Sequence, residues 1–366
     1  MTVSLVFLLH AGLAMRCLGA APRQIMKAAV VKSRSWDFKF HLDLVGVMDV
    51  DVPEPGHGEA LVHVYASNIN PVDHKIVQMA GLLWSYPHKL GSDLAGVVVK
   101  VGAGCERIKV GDEVWGEATA WGTVVSTGGT YAQFASVSES NLGVKPKSLG
   151  WLEAGAMPMV ALTGYDALTW AAGARSFPRR NTTVLILGGS GGTGHVGIQL
   201  AKAMGASDVI TTCSGAHADF VKSLGADRVI DYHKQNYWEV LPPKSVDVVY
   251  DCVGLSGTGD QAFPILKDHG SFVSLLPTAM PSISTKFKRP DVYMNFPTCV
   301  GACSNYDRID KISALVGLGK LKVHLDNVFQ LSDIVKAYNE SLGGHTTGKV
   351  ALQISTDRTA GDAVMV

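Results

Sequence analysis

The chain has no excess of charge of either sign. Its 366 residues carry 32 Lys plus Arg against 32 Asp plus Glu, and no Lys/Arg cluster makes a local basic field. Nucleic acids and anionic lipid surfaces are gathered by such fields, so neither is expected as a partner. The six cysteines (Cys17, Cys105, Cys213, Cys252, Cys299 and Cys303) form no C-x-x-C pair and no disulfide-like rhythm. Reduced thiols in an intracellular protein follow. No apolar run is long enough to cross a bilayer, which takes about 20 residues. There are no repeats and no low-complexity segments. What remains, 47% apolar and 17% charged residues, describes a globular α/β enzyme long enough for two domains with cores of their own.

The first 25 residues stand apart. The stretch from Val3 to Met15 is apolar, and Leu18-Gly19-Ala20-Ala21 after it has the small residues of a signal-peptide cleavage site. Yet no positive charge precedes the run. The segment lacks acids and carries Arg16 and Arg23, as a mitochondrial presequence would. Met26, opening the strand-like KAAVV, reads equally as a natural start. These readings stay open, and with them a cytoplasmic, mitochondrial or exported location. Residues 1–25 are set outside the fold.

The most informative stretch is Thr183–Lys202, TVLILGGSGGTGHVGIQLAK. A short β-branched run meets a glycine cluster, and a segment with helical apolar spacing follows. Gly189, Gly191 and Gly194 match G-x-G-x-x-G between a strand and a helix, the setting in which that pattern reads as a dinucleotide site. The first glycine is expected to permit the turn, the second to let backbone approach a pyrophosphate, and the third to let helix and strand pack closely. The helix start then offers N–H groups and a dipole to the phosphates.

On either side the texture differs. From Met26 to residue 150 short β-rich runs alternate with Gly/Pro turns: Met26–Val31, Val45–Val52, Ala60–Ala66, a glycine-bent β pair over Leu90–Val101, a strand after Val110, and Tyr131–Val137. A helical stretch over Leu152–Ala167 leads into strand–helix alternation. Strands are expected at Asp208–Thr212, Arg228–Ile230, Val246–Val253 and Ser271–Leu275, with helices at Ala216–Leu224 and Gln261–Leu266, which together imply a parallel doubly wound sheet. From residue 321 a strand, a helix over Ile334–Leu342 and a strand over Gly348–Ile354 close the chain. The expected division is 26–150, 151–320 and a return segment 321–356.

This plan, with SNINPVD (67–73), LGSDLAGVVVKVG (90–102), VGDEVWG (110–116), LTGYDAL (162–168), GGSGGTGHVGIQLAK (188–202), LGADRVIDY (224–232) and GHTTGKVAL (344–352), resembles the medium-chain dehydrogenase/reductase superfamily. The similarity is to its zinc-independent quinone oxidoreductase-like branch, which includes zeta-crystallin and the reticulon-interacting mitochondrial oxidoreductase. It implies a GroES-like β-barrel catalytic domain joined to a Rossmann domain. Where zinc-dependent members place a ligand cysteine and a Gly-His-Glu, this chain reads Asn68-Ile69-Asn70-Pro71 and Gly91-Ser92-Asp93. Between Gly104 and Val137 it has Cys105 alone, too few for a four-cysteine lobe. Without a Lewis acid, alcohol oxidation is disfavoured, and no metal is expected. What remains is hydride delivery to an acceptor activated by conjugation, a quinone or an enone.

Residues 212–215, Thr-Cys-Ser-Gly, hold no acid where an NAD site would bind a ribose 2′-hydroxyl. Ser214 can instead donate to a 2′-phosphate, which points to NADPH, although it also reads as a helix N-cap. The resemblance adds Lys222 and Tyr232 as phosphate contacts, and Ser190, Gly191, Gly192 and Thr193 along the pyrophosphate. It puts Thr163 beside the nicotinamide and His345 over the cofactor. Val253 and Leu275 fall at the carboxyl ends of later strands, where ligands of open α/β sheets sit. Thr193 and His195 depart from the family pattern at the helix start. No catalytic acid is singled out: the resemblance turns the loop of Asn70, Asp73, His74 and Lys75 toward the substrate cleft, Asp73 reads as a brace of that loop, His74 titrates near neutrality when unperturbed but also reads as a surface or cofactor-loop histidine, and in zinc-free relatives solvent is a source of the proton. Tyr65, Trp84 and Tyr86 are candidate walls for a planar acceptor or plain core. The resemblance also suggests a homodimer. Two other functions remain open, a trans-acting enoyl reductase of polyketide or fatty-acyl synthesis and a non-catalytic NADPH-binding protein.

Overall fold

The computed structural model describes residues 23–35, 37, 39–80, 85–118, 129–171, 181–295 and 306–356. Most of the N-terminal extension, with Cys17, Trp84, Cys299 and Cys303, therefore lies outside the described residues.

Among the described residues eight strands precede residue 150: β1 (Ile25–Val31), β2 (Val45–Asp51), β3 (Glu59–Asn68), β4 (His88–Lys89), β5 (Asp93–Val101), β6 (Glu113–Glu117), β7 (Phe134–Ser138) and β8 (Leu142–Val144). Strand β1 pairs antiparallel with β2 and β4. The others build a second sheet around β3, which is buried along nearly its whole length. One edge of β3 is taken by β5. The other is shared, β7 along its first half and a C-terminal strand along its second. A strand covered on both edges and both faces has no polar side to show, so AVH-type alternation gives way to a near-continuous apolar run. The glycine-bent pair expected over Leu90–Val101 is instead the single strand β5 after a turn, because Gly91 adopts φ 101°.

Six strands form a parallel sheet: β9 (Thr183–Leu187), β10 (Asp208–Cys213), β11 (Arg228–Asp231), β12 (Val246–Asp251), β13 (Leu266–Ser274) and β14 (Tyr293–Asn295), in the order β11-β10-β9-β12-β13-β14. Order reverses between β10-β9 and β9-β12, which opens a crevice at the carboxyl ends of those strands. Alternate residues of β9 serve different cores. Val184 and Ile186 pack with Ile198, Leu200 and Tyr250, whereas Leu185 and Leu187 pack with Ile210, Val249 and Phe272. The helix expected over Gln261–Leu266 runs Thr258–Ala262 and ends in a 3-10 turn at Phe263–Ile265. Pro264, which has no N–H to continue a helix, stands in that turn. Helices Ile283–Lys288 and Tyr306–Gly317 are additional to the elements read from sequence.

The last strands are β15 (Leu325–Gln330) and β16 (Lys349–Gln353). They are parallel to each other, and β16 pairs antiparallel with β3. The end of the chain is thus sewn into the sheet of its beginning, and residue 349 is carried beside the crevice. No helix among the described residues is long and apolar enough to cross a membrane.

Candidate functional site

The glycine loop connects β9 to the helix Gly194–Ala203. The left-handed turn falls at Gly188 (φ 76°), one residue earlier than the pattern suggested. Gly189 is needed for a different reason: a Cβ there would lie 2.0 Å from Thr211 Oγ1, a hydroxyl that donates to Ile186 O at 2.7 Å. At Gly194 a Cβ would lie 2.2 Å from Gly188 O, so helix and turn touch backbone to backbone. Gly191 differs from both. Its nearest neighbour would be Gly188 O at 3.4 Å, and the loop at this point is only partly buried. Two glycines are locked by packing, and the one between them faces the crevice.

His195, the departure noted at the helix start, is fully buried. Its Nε2 accepts from His324 N at 3.2 Å, which leaves Nδ1 as the donor to Gly191 O at 2.9 Å. Burial pushes its pKa down to about 4. A neutral imidazole therefore pins the glycine loop to the segment entering β15. Gln199 repeats the link one turn later, through Lys322 O at 2.8 Å and Lys322 N at 2.9 Å. Gly348 N donates to Ser190 O at 2.9 Å, so the C-terminal turn closes on the loop from the other side.

At the end of β10, Ser214 and His217 meet (Oγ to Nδ1, 3.0 Å), and His217 Nε2 reaches Thr347 Oγ1 at 3.0 Å. An acid does approach this turn, though from the neighbouring strand and hence unseen by counting along the chain. Asp231 Oδ2 would lie 2.6 Å from a Cβ on Gly215. It accepts from His233 N at 3.1 Å and faces Lys234 Nζ at 3.3 Å.

Beneath the crevice, side chains from four segments close into a buried polar cluster. Asn68 Nδ2 and Asn70 Nδ2 donate to Asp93 Oδ2 at 2.7 and 2.9 Å, and Met159 N donates to Asp93 Oδ1 at 2.8 Å. Lys349 Nζ donates to Asn70 Oδ1 at 2.6 Å and to Ile69 O at 3.2 Å. Asp73 receives Ser92 Oγ, Tyr131 OH and Asn70 N. The Asn70 amide thus links a buried ammonium to a buried carboxylate. Burial pushes Asp93 up to about 6, against the pull of Lys349, and raises Asp73 as well. Burial likewise lowers Lys349 to about 8, while Asp93 and Asp73 hold it up. The Lys349 side chain runs past the glycine loop, its Cδ 3.2 Å from where Gly192 would carry a Cβ.

The residues expected at the site divide accordingly. Ser190, Gly191, Gly192 and Thr193 lie together in the loop. Val253 joins them: its Cγ2 would meet a Cβ on Gly188 at 2.7 Å. Its N–H, with that of Gly254, is held by Asp251 Oδ1 at 2.9 and 3.0 Å. Leu275 follows β13, its N–H on Asp251 O. Thr163 is half-buried in the helix Pro158–Asp166. Lys222, Tyr232 and His345 are exposed, and Tyr232 lies against the His233 ring at 4.4 Å. His74 packs against Phe40, and burial together with Lys75 pushes its pKa down to about 4, well away from the near-neutral value expected. Asn70 and Asp73, in a segment that the resemblance turns toward the substrate cleft, are buried in the cluster instead, where Asp73 braces the segment by accepting from Asn70 N at 2.8 Å. Tyr65 is core, edge-on to Trp151. Sequence reasoning missed His217, Asp231, Asp251, Thr347 and Lys349. For Lys349 and Thr347 the signal was in the GHTTGK segment.

Two family models match the chain: an alcohol dehydrogenase GroES-like domain over residues 56–147 and a zinc-binding dehydrogenase over residues 224–352. A 2-methylene-furan-3-one reductase of Solanum lycopersicum is 36% identical over 312 residues, 83% of this chain and 74% of its own. An NADPH-dependent alkenal/one oxidoreductase of Arabidopsis thaliana chloroplasts is 33% identical over 310 residues, 83% of this chain and 74% of its own. Among solved structures, a quinone oxidoreductase from Coxiella burnetii superposes with a TM-score of 0.76 at 29% identity, covering 91% of this chain and 100% of its own. With β3 at the centre of a GroES-like sheet and the glycine loop at the switch point of a parallel one, the chain belongs to the medium-chain dehydrogenase/reductase superfamily, in its quinone oxidoreductase-like branch.

Proposed function

We propose that this protein uses NADPH to reduce a quinone or an α,β-unsaturated carbonyl, without zinc. The observation that carries the reading is the pairing of an open glycine loop with a closed amide–carboxylate–ammonium cluster beneath it. The loop fits a dinucleotide: Gly191 leaves room for a phosphate to approach backbone, while Gly189 and Gly194 are fixed by packing. The cluster does not fit zinc. Asn68 spends its amide hydrogens on Asp93 and Gly155 O, and Ser92 donates to Asp73. An amide and a hydroxyl in those positions replace the thiolate and imidazole of a tetrahedral site, although one matching family model is named for zinc binding. An acceptor polarised by its own conjugation needs no Lewis acid, and the relatives named for enone, alkenal and quinone chemistry support that substrate class.

When bound, the nicotinamide supplies the hydride. Ser190, Gly191, Gly192 and Thr193 would hold the pyrophosphate, with Lys349 as a nearby cation. Ser214, Lys222 and Tyr232 would face the adenosine ribose. Thr163, Val253 and Leu275 would line the nicotinamide end, and His345 would close over it. Residues 151–320 would form the cofactor unit, and 26–150 with 321–356 the catalytic one. With His74 depressed to about 4 and Asp73 engaged by three donors, solvent is the proton source we favour.

The test is NADPH oxidation by purified protein against quinones, enones, saturated ketones and alcohols, with and without a chelator. Turnover on the first two classes, unaffected by chelation, is expected. Chelator-sensitive alcohol oxidation would overturn the zinc-free reading. Tight NADPH binding with no turnover would favour a non-catalytic protein.

A further inference from the structure

His195 departs from the family pattern, and it is also the side chain that grips the glycine loop from behind. Gly191 O accepts twice from this one residue, from its backbone N at 3.1 Å and from its ring Nδ1 at 2.9 Å. The first is the ordinary i to i−4 bond of a helix start, which aims the carbonyl along the helix toward its C-terminus. The second takes the remaining lone pair. The peptide between Gly191 and Gly192 is trans, so its N–H points opposite to its carbonyl. With the carbonyl held into the helix, the Gly192 N–H is turned out of the helix start. Among the described residues no acceptor takes that N–H.

The ring can do this in one state only. Its hydrogen must sit on Nδ1, and His324 N, donating to Nε2 at 3.2 Å, fixes that tautomer. Burial, with Lys349 and His324 as the titratable neighbours, holds the ring neutral, its pKa down at about 4. The backbone that sets the tautomer is itself held without help from the loop. His324 O accepts from Lys349 N at 2.9 Å, and the His324 ring lies 4.9 Å from that of Phe220. Gln199, one turn beyond His195, takes both backbone groups of Lys322, at 2.8 and 2.9 Å.

We propose that His195 is a positioning residue for the cofactor: its ring fixes the Gly191–Gly192 peptide so that the Gly192 N–H meets a pyrophosphate oxygen, and the backbone of the return segment sets the ring's tautomer for that task. The proposal rests on the reading that the glycine loop binds a dinucleotide. It goes beyond the glycine pattern, which specifies room for a phosphate and not what holds the open part of the loop still. Gly189 and Gly194 are held by contact, whereas a Cβ on Gly191 would meet nothing closer than 3.4 Å. Where packing gives no hold, a hydrogen bond from behind supplies one.

The experiment is calorimetric titration of the full chain with NADPH and with NADH, in wild type and three variants whose folding is checked by thermal unfolding. In His195→Asn the amide Nδ2 stands as many bonds from the backbone as the ring Nδ1 and can still donate to Gly191 O, while the link to His324 N is lost. In His195→Gln the longer side chain reaches the place of Nε2 and can still accept from His324 N, while the link to Gly191 O is lost. His195→Leu loses both. The Asn variant should keep its dissociation constants within about twofold of wild type, whereas Gln and Leu should raise them about fivefold or more, the scale of one neutral hydrogen bond. NADPH and NADH should weaken by the same factor, since both carry the pyrophosphate. A loss in Asn as large as that in Gln would overturn the proposal and make His195 a strap between the two halves. Should His195→Leu not fold, the Asn and Gln pair decides alone. Wild-type protein that binds neither nucleotide would sink the dinucleotide reading and this proposal with it. Nucleotide binding that is equal in all four proteins would remove the role of His195 alone.

Discussion

Two polar regions lie a few ångströms apart in this molecule and are built on opposite plans. The glycine loop is made of backbone, and its function depends on side chains being absent: Gly189 and Gly194 exclude a methyl by contact, while Gly191 leaves the crevice side open. The cluster beneath it is made of side chains that satisfy one another, with Asn70 bonded to both Lys349 and Asp93. The loop turns open backbone to the crevice, whereas the groups of the cluster answer one another, Asn68 Oδ1 excepted, which is buried without a hydrogen-bond partner among the described residues. A pair of buried carboxylates and a buried ammonium are tolerable because amides and hydroxyls from four segments answer them.

The comparison breaks most severely if the cluster loses its cation. Lys349→Met keeps the side-chain length but leaves Asn70 Oδ1 without its donor and Asp93 and Asp73 without their nearest positive charge. The expected cost is about 3–5 kcal/mol of unfolding free energy at pH 7. Asp93 titrates at about 6, so the loss should be smaller at pH 5, where that carboxyl is largely protonated. Urea denaturation of wild type and variant at the two pH values measures both. An equal cost at pH 5 and pH 7 would mean that Lys349 acts through packing and not through charge.

Next in size is a single methyl at the locked part of the loop. Gly194→Ala forces a Cβ against the Gly188 carbonyl at 2.2 Å, with backbone on both sides and no rotamer to relieve it. A destabilisation of about 3 kcal/mol is expected in the same assay. A cost below about 1 kcal/mol would show that the helix start can slide, and that the third glycine is there for the ligand instead of for packing.

How much of this could be read in advance follows from the same contrast. The loop is contiguous, so its strand, glycines and helix were legible together, and helix Ile334–Leu342 was placed to the residue. The turn was assigned to Gly189 and not Gly188 because a pattern records which positions are glycine and not which of them has positive φ. The cluster was illegible as a unit: positions 68, 70, 73, 92, 93, 131 and 349 share no period, and β16 brings the last of them to the others by pairing with β3. Asn70 and Asp73 were read as lying in a cleft-facing loop because the resemblance places them there, and Asp73 in fact lies in the first turn of the helix Pro71–Ala80. Their polarity is spent inward. His195 looked like a flaw in the motif and is its clasp.

Protonation separates the regions further. Burial raises Asp93 to about 6, above its usual 3.8. The folded state therefore binds a proton more tightly than the unfolded chain between those values. This residue's contribution to stability grows as pH falls from about 6 toward 3.8. At the turn after β10 Asp231 runs the other way. Its partial burial would raise it, but the His233 N–H and the Lys234 ammonium hold it below 3.8. Its stabilisation is present above the unfolded value and is lost as pH falls through the folded one. Carboxyl NMR titration should give Asp93 a midpoint near 6 and Asp231 one below the ordinary aspartate range. Coincident midpoints would remove the distinction between a closed cluster and a solvated turn.

The smallest effect on the fold should come from the same methyl placed at the open position. In Gly191→Ala the new carbon would find Gly188 O at 3.4 Å and nothing closer. Gly191 is also absent from the glycines that need positive φ. Stability should change by less than about 1 kcal/mol, and a slight gain is allowed because alanine restricts the unfolded chain more than glycine does. Affinity for NADPH should nevertheless fall by about tenfold or more, since the methyl stands where a phosphate oxygen would approach the backbone. Thermal unfolding and calorimetric binding on one preparation separate the two quantities. If both were unchanged, the middle glycine would lie off the cofactor's path. If both fell together, the loop would be packed at Gly191 as it is at Gly194, and the division between a locked frame and an open face would fail.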